Sequence, residues 1–311
     1  MKRFLSLLLI CLILIGPAGC AGAATAAPEA ADAREAAFPA GGRVSYLGPE
    51  GTYTEEAARF FFPDADALLP RATVDEAIDA LAAGEADYAV IPQENTLGGA
   101  VTNYVDALLA RSGVYVVGEV ILPISQTLMA VPGATLADIK TVCSHAQGLK
   151  QSEAWRAEHL PDAATEEMSS TAAAASHVAE RQDRSVAAIA APAAAELYGL
   201  TVLAENVQIT DANKTRFYVL GAAPLAGEGH AQAVFAADCR ASLLDDVILE
   251  IRSAGLELVT LHDRPEGSAL GSYRYIIEVE GDGITAAQID RICRFAEVRW
   301  LGSFDCAEKG A

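Results

Sequence analysis

Between residues 43 and 221, short, almost wholly apolar runs alternate with longer segments that carry helix punctuation, and this alternation limits the chain to few folds. The runs fall at residues 44–47, 88–91, 128–131, 141–144, 186–190 and 202–204. They are too short for helices and lack the in-out alternation of a sheet wetted on one side, so each reads as a strand buried on both faces. Between them, Thr52 with Glu55 and Thr73 with Glu76 have the spacing of a capping box. In that device the cap hydroxyl and the acid three residues on satisfy backbone donors at a helix start. Gly84 stands where a helix would close in a left-handed conformation. Strands alternating with helices predict an α/β architecture built on a mainly parallel sheet.

The pattern then changes. Residues 222–230 contain Pro224, Gly227 and Gly229 and read as a linker. Strand-like periods follow at 231–238, 256–261, 273–279 and 298–303, with amphipathic helical stretches at 243–253 and 286–295. This βαββαβ order over residues 231–305 predicts a ferredoxin-like unit, with one sheet face covered by two helices.

The start of the chain reads as an export signal. Lys2 and Arg3 precede an apolar stretch at residues 4–15, and small residues at 21–23 suit cleavage. Residues 1–23 are therefore expected to be a signal peptide and 24–42 a flexible spacer, with a periplasmic destination. Pro17-Ala18-Gly19-Cys20 also resembles a lipoprotein box, which would make Cys20 a lipidation site and membrane tether. Beyond the leader, Cys143, Cys239, Cys293 and Cys306 show no C-x-x-C spacing and read as small buried residues rather than metal ligands.

A net charge of −20 argues against a nucleic-acid partner, which would require a basic surface. The turn Gly48-Pro49-Glu50-Gly51-Thr52 lacks both the dinucleotide-binding glycine spacing and the lysine of a phosphate loop, and no serine elbow or H-E-x-x-H pair occurs. What remains are polar clusters at strand ends, where open α/β sheets place ligands. They are residues 48–54, Pro92-Gln93-Glu94-Asn95-Thr96, Ser144-His145-Ala146-Gln147 with Gln151, and Asn213-Lys214-Thr215-Arg216-Phe217. Each alone is compatible with an ordinary solvated loop.

Taken together and in this order, Gly48-Pro49-Glu50-Gly51-Thr52, Glu94-Asn95-Thr96, Ser144-His145 with Gln151, Ser170-Thr171-Ala172 and Thr215-Arg216-Phe217 resemble the prephenate dehydratase family. The likeness spans roughly residues 43–221, and residues 231–305 resemble that family's ACT domain. The resemblance implies two lobes of the type 2 periplasmic-binding-protein kind with the site between them. It implies a lyase reaction in which prephenate loses CO2 and its ring hydroxyl to give phenylpyruvate, with no metal or organic cofactor. By the same resemblance Thr215, Glu94 and Arg216 are catalytic. Thr215 would sit beside the departing hydroxyl and Glu94 would be a second proton donor. Arg216 would pair with a carboxylate or, alternatively, form an ion pair between lobes. Thr52, Asn95, Thr96, Ser144 and Gln151 would contact substrate.

The C-terminal likeness is weaker. Ala241-Ser242-Leu243 stands where the family has Gly-Ala-Leu, and His262-Asp263-Arg264-Pro265 where it has Glu-Ser-Arg-Pro. Phenylalanine at Ala241, Ser242, Leu243 and Arg264 is then expected to bind weakly or not at all. The unit would serve a homodimer or higher homo-oligomer. The rival reading is an exported, non-catalytic solute-binding protein for an aromatic or amino-acid ligand. A fused chorismate mutase is not expected, because the stretch before residue 43 is short and helix-poor.

Overall fold

The computed structural model describes residues 38, 41–101, 103–210, 212–267 and 270–309. The leader, Cys20 and nearly all of the spacer lie outside these residues. Phe38 does not: it is buried against Phe61, Phe62 and Tyr88 with edge-on rings, so the expected spacer contains at least one core residue.

The first lobe opens with β1 (Arg43–Leu47), α1 (Tyr53–Phe61), β2 (Ala67–Arg71), α2 (Val74–Ala82), β3 (Tyr88–Asn95), β4 (Gly99–Ala100), α3 (Asn103–Leu109) and β5 (Tyr115–Pro123). The anticipated caps are present, since Thr52 accepts from the Glu55 amide and Thr73 from that of Glu76. Gly84 takes its positive φ. The chain crosses to a second lobe, made of β6 (Thr127–Ala130), β7 (Thr141–Ser144), α4 (Ala146–Gln151), α5 (Glu153–His159), β8 (Ala164–Glu167), α6 (Thr171–Arg181), β9 (Val186–Ala190), α7 (Pro192–Leu197) and β10 (Thr201–Ala204). It then returns through β11 (Lys214–Gly221) to the first sheet. The two crossings are hydrogen-bonded to each other: Ile124 donates to the Asn213 carbonyl and Val207 to that of Gln126.

Neither sheet is mainly parallel. The first runs β5-β11-β3-β1-β2, with β16 (Cys306–Glu308) added beside β5, and β11 lies antiparallel to both β3 and β5. The second runs β10-β6-β9-β7-β8 with antiparallel pairs at the β10 and β6 side. In the first sheet β5 and β11 serve as outgoing and returning crossover strands, so the chain re-enters that sheet in the reverse sense. Five strands have no counterpart in the sequence reading. β2 carries Pro70, β4 is only two residues long, β5 is interrupted by Gly118-Glu119, β8 is polar, and β16 lies beyond the expected end of the last unit. Among the described residues all four cysteines are free.

The C-terminal unit comprises β12 (His230–Arg240), α8 (Ala241–Ser253), β13 (Glu257–Pro265), β14 (Ser272–Ile284), α9 (Ala286–Ile292) and β15 (Val298–Phe304). Its strand order β13-β14-β12-β15 is ferredoxin-like. One face is covered by α8 and α9 around Phe235, Val247 and Ile277. The other face is not solvated: Val234, Ala236, Ile276 and Phe304 share a core with Ile78, Tyr104, Leu108 and Tyr218 of the first lobe. After β15 the chain adds β16 (Cys306–Glu308) parallel to β5, so the two units interlock through a common sheet.

Candidate active site

A cleft of about 290 Å³ opens between the lobes. Its walls are the starts of three helices and residues of β1, β3 and β11, among them Leu47, Pro92, Asn95 and Thr215. Thr52, Tyr53 and Thr54 come from the start of α1, His145, Gln147 and Gly148 from that of α4, and Ser169, Ser170 and Thr171 from that of α6. The leading N–H groups of a helix have no intrahelical partner and the helix dipole is positive there, so α1 and α6 direct anion-binding capacity into the same space. No lysine or arginine lines the cleft among the described residues.

Asn95 is the hub of the polar wall. Its amide nitrogen faces the Asn213 Oδ1 at 2.8 Å, the Lys214 carbonyl at 3.1 Å and the Thr215 Oγ1 at 2.9 Å. Its Oδ1 accepts from the Leu97 and Gly98 amides and from the Gln147 side chain. With Asn95 as its donor, the Thr215 hydroxyl keeps its own proton for a group in the cleft. Gln151 lines the cleft too, accepting from Gln126 and Asn213.

Thr52, Asn95, Gln151 and Thr215 are thus brought together as expected. The other four residues are not. Ser144 is fully buried below the wall, donating to the Ile189 carbonyl at 2.6 Å. Thr96 ties loop to strand, donating to the Ala212 carbonyl and accepting from the Lys214 amide. Glu94 and Arg216 lie on the far face of the first sheet. The reason is a β-bulge: Arg216 lies opposite Glu94 and Phe217 opposite Pro92, which leaves Gln93 as an extra residue. Pro92 and Asn95 therefore face the cleft, while Gln93 and Glu94 both turn to the C-terminal unit.

Arg216 contacts Glu119 at 3.2 Å and Glu278 at 3.4 Å, neither of which has any exposed surface. Glu94 lies 3.9 Å from His262, whose ring is held below its ordinary pKa by burial, with Glu94 opposing the shift. The proton-donor role of Glu94 and the carboxylate-binding role of Arg216 are corrected accordingly: as placed, neither side chain reaches the cleft. The sequence reading had Tyr53 and Gln147 in its polar clusters without giving either a role, and it missed Gly148. Tyr53 anchors α1 by donating to the Ser125 carbonyl in the crossover, a tertiary contact that leaves no local signal.

The fold and site define a two-lobed α/β enzyme of the periplasmic-binding-protein type, with a hydroxyl-rich cleft suited to an anionic ligand and a ferredoxin-like unit docked behind it. Residues 44–224 match the family model for prephenate dehydratase. The prephenate dehydratase of Amycolatopsis methanolica is 36% identical over 277 residues, which cover 86% of this chain and 89% of that protein. The bifunctional chorismate mutase/prephenate dehydratase of Neisseria gonorrhoeae is 34% identical, covering 85% of this chain and 74% of the relative. Among solved structures, prephenate dehydratase from Arthrobacter aurescens in complex with L-Phe superposes with a TM-score of 0.76 at 32% identity, covering 85% of this chain and 90% of that one. GqqA, described as a novel type of quorum quenching acylase, superposes at 0.72 with 26% identity, covering 85% and 98%. The chain belongs to the prephenate dehydratase family, a family of lyases.

Proposed function

We propose that prephenate binds as a dianion between the starts of α1 and α6, with the Thr215 hydroxyl against the departing ring oxygen. The observation carrying this reading is the Thr215 hydroxyl itself, oriented by Asn95 at 2.9 Å into a cleft walled by helix N-termini. Loss of CO2 supplies the electron pair that completes the aromatic ring, and the hydroxide leaves from the ring carbon. Charge then grows on that oxygen, where a positioned donor lowers the barrier. Threonine is a weak acid, so its part is to donate a hydrogen bond and relay a proton rather than to ionise. His145 also lines the cleft, and because its Nδ1 accepts from the Gln147 amide, its Nε2–H is a second hydrogen-bond donor available there. Thr215→Ala should lower kcat by about a hundredfold or more, with Thr215→Ser retaining most of it. Near-normal phenylpyruvate formation by the alanine variant would refute the assignment.

The mature protein is read as periplasmic after export, with or without a lipid on Cys20. Fractionation of the host and a Cys20→Ser variant test both points. The C-terminal unit is read as an ACT domain that assembles a homo-oligomer and responds feebly to phenylalanine. Two observations support a weak response. Arg264 is engaged by Asp106 of α3 at 2.7 Å, and the hollow beside Ser242 and Leu243 is lined by three acids, Asp238, Glu266 and Glu297, against the one cation Arg240. An amino-acid carboxylate entering there meets like charge. Calorimetric titration showing micromolar phenylalanine binding with loss of activity would overturn this reading.

A further inference from the structure

Behind the strand that carries Thr215 lies a buried charge cluster that the reaction does not use. Glu119 on β5 and Glu278 on β14 have no exposed surface, and one guanidinium, Arg216, serves both. The groups facing them come from every neighbouring element. Tyr218 of β11 donates to Glu278 Oε2, and the Gln93 amide of β3 donates to the same oxygen at 3.2 Å. The Cys306 thiol of β16 donates to Glu119 Oε1 at 3.1 Å. Tyr104 of α3 closes one side, and Glu94 of β3 with His262 of β13 lies at the rim. Glu119 Oε2 and Glu278 Oε1 are buried without a hydrogen-bond donor.

Two ionised carboxylates and one arginine would leave an uncompensated buried charge, which is costly. One proton shared by the pair removes that charge and supplies the missing donor. Beyond the guanidinium they share, Glu278 has two donors and Glu119 only a thiol, so Glu278 is the carboxylate and Glu119 the acid. We infer that Glu278 and Glu119 are positioning residues for Thr215, holding Arg216, and with it the register of β11, from the back of the sheet while they share one proton. The inference rests on the reading of Thr215 given above. Its consequence is that the C-terminal unit, through Glu278, completes the support of the active-site strand. Thr215 and Arg216 are adjacent on β11 and point to opposite faces, so a shift of the guanidinium displaces the hydroxyl directly. A misplacement of about 1 Å at a reacting group can cost about a hundredfold in rate.

Burial first, and then the neighbouring Glu278, push Glu119 up to about 8 from an ordinary 4.5, with Arg216 opposing. Burial raises Glu278 as well, while Arg216 and the Tyr218 hydroxyl oppose the shift. The folded state therefore keeps a proton that the unfolded chain releases, and stability falls as pH rises from 4.5 towards about 8.

The test compares Glu278→Gln, Glu119→Gln and wild type in prephenate turnover from about pH 6 to 9, together with urea unfolding over the same range. In Glu278→Gln the amide oxygen replaces Oε2 as acceptor for Tyr218 and Gln93, which turns the NH2 towards Arg216 and removes the charge that holds the guanidinium, so kcat should drop about tenfold or more while KM stays within about twofold. Glu119→Gln mimics the protonated acid. It should lose less kcat than Glu278→Gln and should flatten both the alkaline fall in kcat and the pH slope of stability. Wild-type kcat and pH profile in Glu278→Gln, or an unchanged stability slope in Glu119→Gln, would overturn the inference. A wild-type protein inert towards prephenate would instead sink the reading of the reaction, and is recognised separately because the difference in stability slope does not depend on turnover.

Discussion

Replacing Gly148 with alanine should destabilise the second lobe, and a further Ser144→Ala change should rescue it. A Cβ built on Gly148 lies 2.4 Å from the Ser144 Oγ, inside any tolerable contact, but 3.4 Å from both the Ser144 Cβ and the Thr171 Cγ2. The clash is thus with one oxygen that is held by its 2.6 Å bond to the Ile189 carbonyl. In Gly148→Ala the serine must leave that bond. Overpacking of about 1–3 kcal/mol adds to about 1–2 kcal/mol for a buried carbonyl left unpaired, against a gain of about 1 kcal/mol from alanine in a helix. The net loss is about 1–4 kcal/mol. Ser144→Ala alone costs about 1–2 kcal/mol. In the double variant the clash is gone and the helix gain remains, so the total should fall below that of Gly148→Ala alone, a coupling of about 2 kcal/mol or more. Urea unfolding of the four proteins measures this cycle. Ser144→Ala should also leave KM within about twofold, because the hydroxyl points into the protein rather than the cleft. Additivity within about 0.5 kcal/mol, or a tenfold rise in KM for Ser144→Ala, refutes the reasoning.

Asn95→Asp turns a donor to Asn213, Lys214 and Thr215 into an acceptor; kcat should fall about a hundredfold with the fold retained by circular dichroism, and a loss under threefold would contradict the hub. Gly302→Ala should loosen the C-terminal unit by about 3 kcal/mol or more, since a Cβ there lies 2.0 Å from the Val116 carbonyl at a φ of +142°; an unchanged unfolding midpoint would disprove that backbone contact. Phe38→Ala should cost about 3 kcal/mol, and no change in unfolding would return Phe38 to the spacer.

What the sequence alone determined was local or periodic. The caps at Thr52 and Thr73, the left-handed Gly84, the buried strands at 44–47, 88–91 and 186–190, and the βαββαβ order of the last unit are each signalled within a few residues. Polar clusters at strand ends and helix starts were legible locally, and the family resemblance picked Thr52, Asn95, Gln151 and Thr215 out of them. The outgoing crossover strand was not, because Gly118-Glu119 breaks the apolar run of β5 and only its partners in the sheet explain a buried carboxylate there. Tertiary structure alone decided which face each side chain takes. One extra residue at Gln93, invisible without the partner strand, turned Glu94 to the back of the sheet. Arg216, beside Thr215 on the extended β11, faces away from the cleft because neighbouring residues of a strand point to opposite sides. Its two carboxylate partners come from positions 119 and 278, and no local pattern records an encounter between residues so far apart in the chain. Propensity and periodicity are properties of neighbours in sequence, whereas burial of charge is a property of neighbours in space.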